Sequence, residues 1–166
     1  MFREIDIRDI KKSPVEMISD EWALLSAGTP DDFNTMTVSW GALGELWGRN
    51  CAFAFVRPQR YTYEFMEKNE YYTLSFFDGG FKKEMGFCGS HSGRDCDKMK
   101  ETGLVPVSAG ESVSFSQAKT VLVCRKIAIQ DIDPKGFLDE SINNEYPSDD
   151  YHRVYIGEII KVLKAD

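Results

Sequence analysis

The run "TVLVCRKIAIQDI", residues 120–132, places apolar side chains with the period of a strand: Val121 and Val123, then, after a break, Ile127 and Ile129. A second run near the end of the chain, "YHRVYIGEIIKVL" (151–163), repeats the pattern through Val154 and Ile156. Long strands of this kind suit the wall of a barrel. Ahead of them, "WALLSAGT" (22–29), "NTMTVSW" (34–40), "CAFAFVR" (51–57) and "YYTLSFF" (71–77) are short, rich in aromatic and β-branched residues, and bounded by Gly, Pro, Asn or Asp, so each reads as a strand. Three helices fit between these runs. "TYEFMEKN" (62–69) sets Phe65 and Met66 against Glu64, Glu67 and Lys68, with Thr62 as a good N-cap. "FKKEMGFCG" (81–89) and "DKMKETG" (97–103) each end on a glycine of the kind that stops a helix in a left-handed conformation. No regular βαβ alternation supports a parallel sheet. The expected fold is mainly β, a closed antiparallel barrel with short helices packed on its outside. No repeat, low-complexity tract or linker divides residues 1–166, which predicts a single domain.

Composition narrows the partners. Hydrophobic residues make up 42% of the chain and charged residues 28%, as expected of a folded globular protein. Twenty Lys and Arg against 27 Asp and Glu give a formal net charge of -7, which argues against a nucleic-acid or anionic-membrane surface and leaves room only for a local basic pocket. The start, "MFREIDIRDIKK", lacks the apolar core of a signal peptide, and "CAFAFV" (51–56) is far too short to span a bilayer, so a cytoplasmic location is expected. Cys51, Cys88, Cys96 and Cys124 form no CxxC pair and read as free thiols. Cys88, His91 and Cys96 could be metal ligands by chemistry, but their irregular spacing and the missing fourth ligand weigh against a metal site.

Three stretches can carry chemistry. In "RPQRYTYEF" (57–65), Pro58 ends a strand and a helix follows, so Arg57 and Arg60 lie beside unpaired helix N–H groups, an arrangement that can seat a phosphate. Two solvated arginines and a capping threonine would give the same spacing. "SHSGRDCDK" (90–98) combines small residues with Arg94, Asp95, Asp97 and Lys98, either as an anion-holding loop or as a polar turn capped by Asp95 or Asp97. "NTMTVSWGALGELWG" (34–48) is a strand that breaks on Gly41 and Gly44, exposing backbone groups to a planar ligand, with Trp40 and Trp47 available for stacking or for a core or dimer interface. Motifs for dinucleotide binding, P-loops, serine hydrolases and zinc proteases are absent, and two histidines, His91 and His152, supply little acid–base chemistry. Side-chain catalysis is poorly provided for, which favours a bound cofactor.

Taken together and in this order, "NTMTVSWG" (34–41), "VRPQRYT" (56–62) and "SGRDCDK" (92–98) resemble the flavin reductase-like family of FMN-binding split barrels, which includes the flavoredoxins. The likeness covers about residues 18–130; the last strands agree in kind but carry no diagnostic motif. The resemblance implies an antiparallel split barrel of Greek-key type that forms a homodimer, with one FMN per subunit near the interface. Carried over by position, Met36, Thr37, Val38, Ser39 and Trp40 would line the flavin ring largely through backbone. Arg57, Arg60, Tyr61 and Thr62 would hold the phosphate end, and Ser92, Gly93 and Arg94, with Asp97 and Lys98, would close over the cofactor. No side chain is implied as catalytic, because the flavin carries the chemistry. The implied activity is electron transfer from NAD(P)H through FMN to an acceptor, with Arg49, Arg94 and Lys98 as candidates for a cationic entrance. The alternatives are a flavoredoxin-type carrier served by a redox protein and a non-catalytic ligand-binding barrel.

Overall fold

The computed structural model describes all 166 residues as ten strands and three α-helices. In chain order these are β1 (Phe2–Ile5), β2 (Ala23–Thr29), β3 (Asp32–Val38), β4 (Gly41–Leu46), β5 (Arg49–Val56), α1 (Tyr61–Lys68), β6 (Tyr71–Phe76), α2 (Lys82–Ser90), α3 (Lys98–Thr102), β7 (Pro106–Ala109), β8 (Ser112–Phe115), β9 (Thr120–Asp131) and β10 (Arg153–Ala165). Every run expected to be a strand or a helix forms one. The two long runs become β9 and β10, paired antiparallel with register shifts at Ile156/Gly157 and Ile159/Lys161. At the first shift, a Cβ on Gly157 would lie 2.4 Å from the Tyr72 hydroxyl, so the glycine leaves room for that buried ring to reach the Ala52 carbonyl at 2.8 Å. Bulges bend and coil long strands, which lets a sheet curl around a core.

All ladders of the large sheet are antiparallel, in the order β3-β2-β6-β9-β10-β5-β4, with β1 added along β10. The expectation of a closed barrel is corrected: β3 and β4 are its two edges and no ladder joins them, so the barrel is split. Only Ser39 and Trp40 separate the two edge strands in the chain, and the seam therefore opens beside them. The strand that was to run on to Trp40 ends at Val38, and Gly44 lies within β4 rather than breaking it.

Alternation works on both faces of the sheet. Ala23, Leu25 and Ala27 of β2, Leu122 and Cys124 of β9, and Tyr155 of β10 point into the barrel. Leu24, Val121 and Val123 point the other way, into a second core with Phe77, Met85, Cys88, Leu104 and Phe115, under α2 and the β7–β8 hairpin. The valines whose spacing betrays β9 thus face outward, and the barrel interior uses their neighbours. No helix is long and apolar enough to cross a membrane.

Candidate functional site

All three chemistry-bearing stretches meet at one cavity of about 280 Å³, lined by Asn34 and Met36 of β3, Gln59 to Thr62 at the start of α1, and Ser90, His91, Ser92, Arg94, Asp95 and Lys98. Arg60, in extended conformation, occupies the N-cap position of α1, where its side chain makes no cap bond. Its Nη2 donates instead to the Gly89 carbonyl at 2.8 Å. Thr62 is therefore not the cap that its position suggested. It lies within the first turn, buried, and its hydroxyl accepts from Asn34 Nδ2 at 2.8 Å. No hydrogen bond within the chain takes up the N–H of Tyr61 or of Thr62. These donors lie at the positive end of the helix, beside the cavity that Tyr61 and Thr62 line.

The opposite wall is the loop between α2 and α3. A Cβ on Gly93 would fall 2.2 Å from Asn34 Oδ1 and 3.2 Å from the Tyr61 ring, so only glycine lets this loop close against β3 and α1. α2 does not stop at Gly89, as expected from its glycine, but runs one residue further with Gly89 packed against Thr37. The Thr37 hydroxyl donates to the Met85 carbonyl, tying α2 to β3. Asp97 caps α3 by accepting from the N–H groups of Met99 and Lys100, and its side chain is exposed. Lys98 turns inward: it is 6% exposed, and its ammonium donates to the carbonyls of Thr35 (2.7 Å) and Cys88 (2.8 Å).

The cations divide into two groups. Arg57 pairs with Asp150, Arg94 with Glu64 and Arg49 with Glu158. Arg60 and Lys98 have no carboxylate partner. Burial, reinforced by the Arg57 charge, lowers the pKa of Arg60, and burial pushes Lys98 down to about 8. The entrance expected from Arg49, Arg94 and Lys98 is thereby corrected. Lys98 is inside, and Arg49 stands at the far end of β5 from Arg57, roughly 25 Å away at ~3.3 Å per residue. Arg94 is the one of the three that is both exposed and at the cavity, its guanidinium 4.6 Å over the Tyr61 ring.

Met36 also lines a second, smaller cavity of about 180 Å³, with Thr37, Val38, Ser39, Trp40, Phe55, Arg57 and His152. It lies along the free edge of β3, where backbone groups on the side away from β2 have no neighbouring strand. Trp40 is half-exposed, its ring 5.4 Å from that of His152, whereas Trp47 sits in the β4–β5 turn, 63% exposed and outside both cavities. Arg57 thus lines this cavity and not the one beside Arg60. His152 was missed by sequence reasoning. It reaches the site because β10 pairs with β5 in a register that sets Arg153 opposite Val56, a long-range fact with no local signal. Burial, helped by the Arg57 charge, lowers His152 to about 4, so its ring is neutral at pH 7. Asn34 and Gln59 were also missed, although each lies within a quoted stretch. Cys88 belongs to the outer core, Cys96 bonds the Ser92 carbonyl at 3.4 Å, and His91 stacks on Phe87 with ring centroids 3.9 Å apart.

An antiparallel split barrel with a cation-lined cavity at its open seam is the class that this fold and site define. The chain belongs to the flavin reductase-like domain family, whose sequence profile matches residues 17–166. No curated protein matches it. Among solved structures it is similar to a flavoredoxin from Methanosarcina acetivorans (19% identity, covering 88% of this chain and 69% of that one, TM-score 0.66). It is also similar to an FMN-binding domain of a flavin reductase-like enzyme from Shewanella baltica (14%, 99% and 77%, 0.70). The NADH:FAD oxidoreductase SgcE6 of Streptomyces globisporus, solved with NAD and FAD fragments, is a third (14%, 87% and 75%, 0.65). At these identities the structural likeness speaks for the fold.

Proposed function

We propose that the chain is an FMN-binding oxidoreductase that passes electrons from NAD(P)H through the flavin to an acceptor. The observation that carries this reading is the pair Arg60 and Lys98, two cations lowered by burial and unpaired with any carboxylate, flanking the free N–H groups at the start of α1. Such a site is made for a compact dianion like a phosphate monoester. Arg60, Tyr61, Thr62, Ser92 and Lys98 would hold that end, with Gly93 and Arg94 closing the loop and Asp97 fixing the turn that presents Lys98. From there the free edge of β3 leads through Met36 to Trp40, where unpaired backbone groups and the neutral His152 offer a planar ring hydrogen bonds without an added charge. When bound, FMN would supply reversible two-electron chemistry; the chain's own residues bind and orient it. A homodimer in the cytoplasm completes the proposal.

A second reading, a flavoredoxin-type carrier reduced by another protein, is favoured by the loss of the cationic entrance: of its three candidates Arg49 is away from the cavity, Lys98 is buried in its wall, and the exposed Arg94 is paired with Glu64. Absorbance spectra separate the two. An enzyme's flavin bands bleach within seconds of adding NADH or NADPH and recover with an acceptor, whereas a carrier's bands respond only to a reduced protein. A protein that stays colourless and takes up no added FMN rejects both. For the phosphate seat, Arg60→Ala is expected to weaken FMN by about 1–3 kcal/mol while riboflavin, which lacks the phosphate, binds as before. Thr62→Ala is expected to cost a similar amount and to lower stability as well, because Asn34 loses its partner.

A further inference from the structure

We propose that Arg57 is a positioning residue for the ring cavity rather than a phosphate ligand: it clamps the long β9–β10 connection so that Tyr146, behind His152, holds that ring as one wall of the cavity. The part played by the ring rests on the function proposed above; the clamp does not.

Between β9 and β10 the chain runs from Ile132 to His152 with only two short 3-10 turns, Pro134–Gly136 and Glu140–Glu145, and the fully exposed Leu138 shows how little of it packs on the barrel. Connections this long need an external anchor to hold one conformation. Arg57 provides three contacts at once. Nη1 meets Asp150 Oδ1 at 2.7 Å, Nη2 donates to the Glu145 carbonyl at 2.9 Å, and the guanidinium lies 4.9 Å over the Tyr146 ring. Gln59 donates to the other Asp150 oxygen. The ion pair is partly buried, with side chains 23% and 17% exposed, so it escapes most solvent screening. A planar fork that satisfies a carboxylate, a carbonyl and an aromatic face together is specific to arginine. With its donors committed in this direction, Arg57 faces away from the cavity beside Arg60.

The clamp reaches the ring cavity through Tyr146. Its hydroxyl and His152 Nδ1 are 2.7 Å apart, and the His152 ring packs 5.4 Å from Trp40 and 6.3 Å from Phe55. The charged and titratable groups facing His152 are Arg57 from the end of β5, and Asp150 and Tyr146 from the connection itself.

The test uses the full chain, first without flavin, by following the His152 ring through a pH titration by NMR. Arg57→Ala, Arg57→Lys and Asp150→Ala are each expected to move its midpoint from about 4 towards the ordinary 6.5, as the wall loosens and water enters. Charge alone gives a different pattern. Lysine would leave the midpoint in place, and loss of the Asp150 carboxylate would lower it, so either result overturns the proposal. With flavin, the ratio of FMN to riboflavin affinity is expected to stay within twofold of wild type in Arg57→Lys and to collapse in Arg60→Ala. Collapse in Arg57→Lys makes Arg57 a phosphate ligand and also overturns the proposal. If the wild type binds neither flavin, the proposed function fails, and the titration still decides the clamp.

Discussion

Lys98 shows how far a single residue's type can mislead about its place. As a lysine in a polar loop it is expected outside, at an entrance, whereas the structure buries its ammonium between two carbonyls and burial lowers its pKa to about 8. At pH 7 it remains mostly charged. Because an unfolded lysine keeps its proton to about 10.5, the unfolded chain binds more protons between pH 8 and 10.5, and the contribution of Lys98 to stability rises with pH through that window. Its contribution to anion binding runs the opposite way. FMN affinity is expected to fall as pH rises above about 8, approaching tenfold per pH unit, while Lys98→Met binds more weakly at pH 7 and shows no such fall; equilibrium titration by flavin fluorescence from pH 7 to 9.5 checks both. Arg60 was legible beside the helix start because Pro58 ends the strand before it and the helical pattern begins just after it. The role of Thr62 was not, since a cap is defined by the turn it precedes, and the cap falls two residues earlier, at Arg60.

At the scale of elements, every expected strand and helix exists; β1, β4, β7 and β8 were not expected, and the other errors lie in how elements end. Gly103 does stop α3 with a left-handed backbone, φ 70°, but Gly89 serves close packing against Thr37 inside α2, and the two uses of glycine look alike in sequence. The loop after α2 makes the same point through Gly93. A methyl group there would collide with Asn34 Oδ1, the residue that positions Thr62, so two walls of the anion cavity are coupled through one missing side chain. Gly93→Ala is expected to lower stability by about 1–3 kcal/mol and to weaken FMN, because either the loop or Asn34 has to move. Gly86→Ala, in open space within α2, is expected to be neutral or to stabilise by about 0.5–1 kcal/mol. Urea unfolding of both variants, with FMN titration, checks the contrast; equal effects would mean that the Gly93 contact relaxes at no cost.

For the whole molecule, the alternation that identifies β9 and β10 says that there is a sheet, but not which face meets which core, because both faces are covered over half its width. The outer face of β2, β6 and β9 is buried under α2 and the β7–β8 hairpin. The outer face of β5 and β10 is less covered: Phe53, Phe55 and Ile156 are only half-buried there and Trp40 is 47% exposed beside them. Apolar side chains left open on one face favour burying it, and the same face borders the ring cavity through Trp40 and Phe55. A second copy of the chain docked there would form the homodimer and shield the ring site from water. The double variant Phe53→Asp and Ile156→Asp is expected to turn a dimer into a monomer by light scattering, with its β-sheet circular dichroism retained. Its FMN affinity is expected to fall at least tenfold if the partner completes the site. A wild type that is monomeric at micromolar concentration would remove the dimer, and a monomeric variant that binds FMN as tightly as wild type would show that one subunit holds the cofactor alone.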